Sequence, residues 1–334
     1  MPKNIRVLIV DDSTLVRQAL NTILSADPEI EVIGEARNGK EGYEKTLALR
    51  PDVVTMDITM PVMGGLEATE LIMEECPTPI VIVSSREVPI IVKALSFGAM
   101  DFVASTGDLD EIKGEVLLKV KIASRVKALR RMHIRPVVKR LVTNREAATR
   151  VVALGVSTGG PQALQALLAK LPADLPACVL IVQHISTGFI QGLVEWLSLT
   201  SALSLRVAKA GDPLKSGTVY FAPDGVHMTV NEEEKIVLKE DGSRKMLHVP
   251  SIDVMMLSAA EIYKDRAVGV IMTGMGRDGV EGIAAIRAAG GHTIAQDEKT
   301  SAIYGMNKVA VDQGAIACVL SLDSMADEIN RSVR

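Results

Sequence analysis

Aromatic residues make up only 3% of this 334-residue chain: four Phe, four Tyr and one Trp. That supply is too thin for a surface that stacks on bases. The most basic stretch, Lys119 to Arg150, sets eleven Lys or Arg against the single acid Glu146 and contains no aromatic residue at all. It reads as a solvated helix face and linker, not as a nucleic-acid track. Cysteine is equally scarce. Cys76, Cys178 and Cys318 show no C-x-x-C spacing, which favours buried free thiols in a reducing cytoplasm over disulfides or a zinc site. Long apolar runs are missing too. The N-terminal MPKNIRVLIVDD is broken by two aspartates before its apolar run is long enough for a signal peptide or a membrane span. The expectation is a cytoplasmic protein without membrane insertion, monomeric by default.

What is there is alternation. The first 120 residues set IRVLIV, EVIGEA, DVVTMDI, PIVIVSS and AMDFVAS between helix-like segments, the pattern of a five-stranded parallel sheet with helices on both faces. A helical pattern from Asp110 to about Met132 comes next, then Pro136 and the polar NREAATR. From Arg150 the alternation restarts with VVALG, ACVLIVQH, LRVAKA, TVYFAP, AVGVIMTG, HTIAQ and AIACVL. One segment departs, because HMTVNEEEKIVLKE is two alternating runs around an acidic turn and reads as an antiparallel hairpin. The expected architecture is α/β throughout: a first domain over 1–122, a basic helical or linker segment over 123–149, and a mostly parallel, Rossmann-like second domain over 150–334.

Ligands of open parallel sheets sit beyond the carboxyl ends of the strands. Asp11 and Asp12 end the first strand, Asp57 ends the third and Ser84 follows the fourth, so their side chains should converge there. Three carboxylates at one point repel each other, and a hard cation such as Mg2+ relieves this. Capping of the next helix by Asp11, Asp12 and Ser13 is the plainer alternative, but it leaves Asp57 unexplained. The order VDDS, MDITMPVMGG, VSS, GAMDFV resembles the receiver domain of two-component response regulators, whose fold is flavodoxin-like. The resemblance implies Asp57 as phosphoacceptor with a histidine kinase as phosphodonor, Asp11 and Asp12 as further Mg2+ ligands, Ser84 as the residue that senses the phosphoryl group, and Phe102 as the switch aromatic. It breaks at Ser105-Thr106, where receivers carry Lys-Pro.

GVSTG at 155–159 meets the G-x-S-x-G pattern of a nucleophile elbow, a strand-to-helix turn that exposes Ser157. No Lys follows the glycines before Lys170, so a Walker phosphate loop is excluded, and the G-x-G start of a dinucleotide fingerprint is missing. A serine nucleophile needs a base, and the base needs an orienting group. His184 ends the strand ACVLIVQH and Asp278 follows AVGVIM, which delivers both to the edge that carries Ser157. Alternatives stay open at each position. His248, before PSID, is the rival base; His227 suits the surface or a substrate pocket; His292 suits a structural role; and Asp278 could simply cap the helix VEGIAAIRAAG.

GVSTGGPQAL, VQHI, FAPDGVHM, PSIDVMM, TGMGRDG and AQDEKTSAIYGM together resemble the catalytic domain of chemotaxis protein-glutamate methylesterases (CheB). With the receiver in front, the likeness spans nearly the whole chain. It implies Ser157 as nucleophile, His184 as base, Asp278 as orienter, the backbone N–H groups of Thr158 and Met275 as oxyanion hole, and no cofactor for the esterase. The implied substrate is a γ-glutamyl methyl ester on a methyl-accepting chemoreceptor, with deamidation of certain glutamines beside it. Two rivals remain, a receiver joined to a non-catalytic partner-binding module and a related hydrolase acting on another ester or amide.

Overall fold

Helical crossovers between short apolar runs favour parallel pairing, since a two-residue turn can join only antiparallel neighbours. The computed structural model describes residues 4–84, 88–104, 109–126, 146–241 and 248–334. The chain divides into two compact units, Met1–His133 and Ile134–Arg334. The first runs β1 (Ile5–Val10), α1 (Thr14–Ser25), β2 (Ile30–Ala36), α2 (Gly39–Leu49), β3 (Val53–Met56), α3 (Gly65–Glu75), β4 (Ile80–Ser84), α4 (Val88–Ser96), β5 (Asp101–Ala104) and α5 (Leu109–Ala123). Its sheet is parallel in the order β2-β1-β3-β4-β5. The order reverses between β1 and β3, the two strands that end in the aspartates.

The second unit runs β6 (Arg150–Val156), α6 (Gly160–Leu168), β7 (Ala177–Gln183), α7 (Ile190–Ser198), β8 (Ser204–Val207), β9 (Thr218–Phe221), β10 (His227–Val230), β11 (Ile236–Lys239), α8 (Ile252–Tyr263), β12 (Ala267–Ile271), α9 (Val280–Ala288), β13 (His292–Gln296), α10 (Met306–Asp312), β14 (Cys318–Leu320) and α11 (Leu322–Ser332). Its seven-stranded sheet has the order β14-β13-β12-β6-β7-β9-β8, and every pair in it is parallel. Residues 227–240 form the expected antiparallel hairpin, β10 with β11, as a separate two-stranded sheet. Strands β6, β7, β9 and β12 are buried almost throughout, as parallel strands covered on both faces must be.

One expectation needs correcting. The helix that begins the pattern running to about Met132 stops sooner, because α5 ends at Ala123, and residues 127–132 lie outside the described residues. Arg125 N–H and Val126 N–H then donate three residues back, to Ile122 and Ala123 carbonyls, the tightened turn that satisfies terminal carbonyls. Most of the basic segment, Pro136 included, and the Ser105-Thr106 pair lie outside the described residues. Among the described residues, no helix is long and apolar enough to cross a membrane.

Candidate active site

Strand order in the second sheet reverses between β6 and β12, where the chain leaves for β7 on one side and for β13 on the other. A crevice opens at the carboxyl edge of such a switch point. Ser157 is the first residue past β6. Its N–H donates to the Thr273 carbonyl at 3.0 Å, and Gly160 N–H donates to its carbonyl at 2.9 Å, so the turn is pinned to the loop after β12. Gly159 turns it with φ +75°, and a Cβ there would lie 2.4 Å from Ala302 Cβ. A Cβ on Gly274 would stand 2.7 Å from Ser157 Cβ, so glycine is needed on both sides of the serine. Pro161 occupies the first turn of α6, which buries Ala163, Leu164, Leu167 and Leu168.

His184 follows β7, and its N–H donates to the Val156 carbonyl at 3.0 Å. Its Nε2 lies 2.8 Å from Asp278 Oδ2. Asp278 also accepts from Ile252 N–H (2.8 Å), Asp253 N–H (3.0 Å) and the Ser251 hydroxyl (2.8 Å). Burial alone would raise its pKa, but the bonds from His184, Asp253, Ile252 and Ser251 outweigh burial and hold the carboxyl well below the usual range. An ionised carboxylate only accepts, so Nε2 carries the imidazole proton. Nδ1 is then the basic nitrogen, and it is buried without a partner among the described residues. Ser157 Oγ, too, has no hydrogen-bond partner among the described residues.

Asp278 does not cap the helix that comes after it. Gly279 is the N-cap of α9, without a side-chain bond, and Asp278 instead sits on the N-terminus of α8. Asp253, from the first turn of α8, returns the favour by accepting Gly282 N–H at 2.7 Å at the start of α9. Each carboxylate thus lies on the positive end of the other's helix. Their pKa values part: Asp253 is raised, by burial first, against the N–H groups of Gly282 and Gly279.

The other histidines separate clearly. The His248 ring stacks on His184 with centroids 4.2 Å apart and planes 16° apart. Burial and the neighbouring His184 push it towards the neutral form. His227 is not a surface residue: it is 4% exposed, and its Nδ1 accepts Ser251 N–H at 3.1 Å. His292 pairs with Glu328. The backbone N–H groups of Thr158 and Met275 make no hydrogen bond among the described residues, and Met275 is half exposed. Gln183 carried no signal in the sequence beyond being polar at the end of an apolar strand. Buried at 4% exposure, it donates through Nε2 to the carbonyls of both Ser157 (2.9 Å) and His184 (2.7 Å) and clamps the two turns together.

In the first unit, Ser13 is the cap of α1, through Val16 N–H at 3.4 Å, which leaves Asp11 and Asp12 without a capping role. Buried Arg17 holds the turn by donating to the carbonyls of Asp11 and Asp12 at 2.9 and 3.1 Å. Burial pushes Asp11 up to about 6; the Ser13 N–H opposes this, and the charges of Asp57 and Asp12 add to it. Asp57 is also raised, by burial first, with the Ser84 hydroxyl and the N–H groups of Ile58 and Thr59 acting against it. Phe102 is buried in β5. Hard oxygen donors that repel one another suit Mg2+.

These two sites can be set beside known proteins. The CheB methylesterase family model matches residues 152–329, and the response regulator receiver domain model matches residues 7–117. The chain belongs to the CheB methylesterase family. A CheB-family relative from Symbiobacterium thermophilum, called protein-glutamate methylesterase/protein-glutamine glutaminase, is 43% identical, the match covering 98% of this chain and 97% of that one. One of the same description from Pyrococcus abyssi is 40% identical over 99% of this chain and 94% of its own. The crystal structure of the Thermotoga maritima CheB methylesterase catalytic domain is 35% identical, covering 55% of this chain and 97% of that one, at a TM-score of 0.52. In each unit, candidate residues flank the switch point of a parallel sheet: Asp11, Asp12 and Asp57 follow β1 and β3, and Ser157 and Asp278 follow β6 and β12.

The raised Asp11 pKa gives a signed expectation. A carboxyl whose folded pKa is raised contributes stability that is present at low pH and lost as pH rises through about 6. Asp11→Asn keeps an acceptor for Ser13 N–H and removes the charge. It is expected to raise the Tm of the receiver transition at pH 8 in chelator, with the gain shrinking towards pH 4. A lower Tm at pH 8 by calorimetry would contradict the repulsion described.

Proposed function

We propose that this chain is a phosphorylation-regulated serine hydrolase that removes methyl groups from γ-glutamyl esters of methyl-accepting chemoreceptors, in the cytoplasm and as a monomer. The observation that carries the reading is the His184 ring, bonded through Nε2 to a firmly ionised Asp278 while its buried Nδ1 is left without a partner among the described residues. Ser157 Oγ attacks the ester carbonyl, and His184 Nδ1 takes the hydroxyl proton. The tetrahedral oxyanion is received by the N–H groups of Thr158 and Met275; one such donor is typically worth about 3 kcal/mol of barrier. The intermediate collapses, the C–O bond breaks, and His184 passes its proton to departing methanol. Water then adds to the acyl-serine with His184 again as base, releasing glutamate. With a glutamine side chain the leaving group is ammonia, and the same steps give deamidation.

In the receiver, Asp57 is the phosphoacceptor and takes its phosphoryl group from a histidine kinase. Asp11, Asp12 and Asp57 would hold Mg2+, which supplies charge neutralisation at the phosphoryl oxygens. Ser84 senses the phosphoryl group, and Phe102 is the aromatic that responds. The domain division matches the function: a receiver over 1–122, a linker over 123–149 and a hydrolase over 150–334.

Methanol release from methylated receptor membranes, with and without a small phosphodonor, tests substrate and regulation together. Release that Asp57→Asn uncouples from phosphodonor is expected. A phosphorylated state differs from the resting one only by its differential contacts, and Ser105 has neither the charge nor the reach of a lysine. Modest activation of the wild type is therefore expected, with a larger activation ratio in Ser105→Lys. Strong wild-type activation that Ser105→Lys leaves unchanged would overturn this part, and absence of methanol release would overturn the whole.

A further inference from the structure

Three side chains unrelated to the hydrolase meet at the amino-terminal end of the second sheet, the edge opposite Ser157. His292 opens β13, Cys318 opens β14 and Glu328 lies on α11. Their ligand atoms all fall within 4.8 Å of one another, and each residue is half-buried. His292 Nε2 lies 2.8 Å from Glu328 Oε1 and 3.7 Å from Cys318 Sγ. One ring nitrogen carries one proton or one lone pair. The carboxylate accounts for it; the Cys318 thiol, which also reaches the Thr293 carbonyl at 4.0 Å, approaches the same nitrogen more closely than that pairing requires.

We propose that His292, Cys318 and Glu328 form a binding site for a borderline-soft divalent cation, Zn2+ foremost, which ties α11 to β13 and β14. Tetrahedral Zn2+ with its usual bond lengths separates thiolate sulfur from imidazole nitrogen by roughly 3.6 Å and nitrogen from carboxylate oxygen by roughly 3.3 Å. The sulfur is already at that spacing, and the nitrogen–oxygen contact has to open by about half an ångström. Thiolate and carboxylate together balance the charge of a dication, with the imidazole neutral. Sulfur and nitrogen donors select against Mg2+. Arg331 pairs with the other carboxylate oxygen, Oε2; its side chain is 77% exposed, so water can take over that contact. His292 is 35% exposed, which leaves the fourth position to solvent. The ligands come from residues 292, 318 and 328, a spacing with no motif in it, and the proposal stands apart from the esterase reading.

Co2+ titrated into the reduced full-length protein is expected to give a near-ultraviolet thiolate-to-metal charge-transfer band, displaced by Zn2+ and not by Mg2+. Cys318→Ser should abolish the band, and Glu328→Gln should weaken Co2+ binding by about tenfold or more. Cys76 and Cys178 are buried away from such donors, and the receiver aspartates supply oxygen alone, so neither source mimics the signal. A measurement on the unmodified chain guards against a variant that fails to fold: Zn2+ should slow alkylation of Cys318, read by peptide mass. No band at excess Co2+, a band that survives Cys318→Ser, or an alkylation rate indifferent to Zn2+ overturns the proposal.

Discussion

Ser157→Ala is expected to lower methanol release by at least about ten-thousand-fold while Asp57 still accepts phosphate. The size reflects what the hydroxyl does. Without Oγ there is no acyl-enzyme, and the remaining donors at Thr158 and Met275 can only assist a direct attack by water. Nucleophile and base act as a unit, so His184→Ala should cost about as much, and the double variant little more than either. His248 is the control that discriminates. It stacks on His184 and touches neither Ser157 nor Asp278 through a hydrogen bond, so His248→Ala should cost clearly less than His184→Ala. Substantial turnover in Ser157→Ala, or a greater loss at His248 than at His184, would sink the assignment. Thermal unfolding of the second unit, measured in parallel, shows whether each variant is folded there, and phosphorylation of Asp57 shows that the receiver is intact.

Asp278→Asn is the second large effect, expected at about ten-thousand-fold in kcat with KM little changed. Asp278 Oδ2 accepts from His184 and Ile252, and Oδ1 accepts from Ser251 and Asp253. All four partners are donors. An asparagine has one oxygen, so in either orientation its amide N–H groups confront two donors. If the amide nitrogen faces His184, the ring proton must move to Nδ1, and the nitrogen that should receive the Ser157 proton is then occupied. If it faces Asp253, a buried backbone N–H loses its acceptor at the start of α8, at about 1 to 3 kcal/mol of stability. Asp278→Glu keeps the charge and tests geometry instead. Imidazole NMR reads the tautomer directly: a proton still on Nε2 in an inactive Asp278→Asn would reject the tautomer as the cause.

Much of the fold was legible because parallel sheets write themselves into a chain. Strands covered on both faces must be apolar throughout, so IRVLIV, VVALG and ACVLIVQH stand out without any pairing information. Strand ends were legible for the same reason, and with them the places of Asp57, Ser157, His184 and Asp278. The hairpin at 227–240 announced its different pairing by alternating. The length of α5 did not show, because basic residues continue a helical pattern past Ala123 while the backbone has already tightened into a turn.

The sequence by itself determined the two α/β units, their strand-end residues and the likeness to receiver and methylesterase families. Local pattern and chain order were enough, since each of those depends on the residues that lie beside a strand in the chain. Tertiary structure decided which atoms serve. That Asp278 sits on α8 and leaves α9 to Gly279, that Gln183 clamps two turns, that His227 is buried behind Ser251, and that Cys318 and Glu328 both approach one nitrogen of His292 are all contacts that local pattern does not carry. Hydrogen bonds are directional and short-ranged, so a partner 26 or 94 positions away leaves no trace in the chain until folding brings the two together.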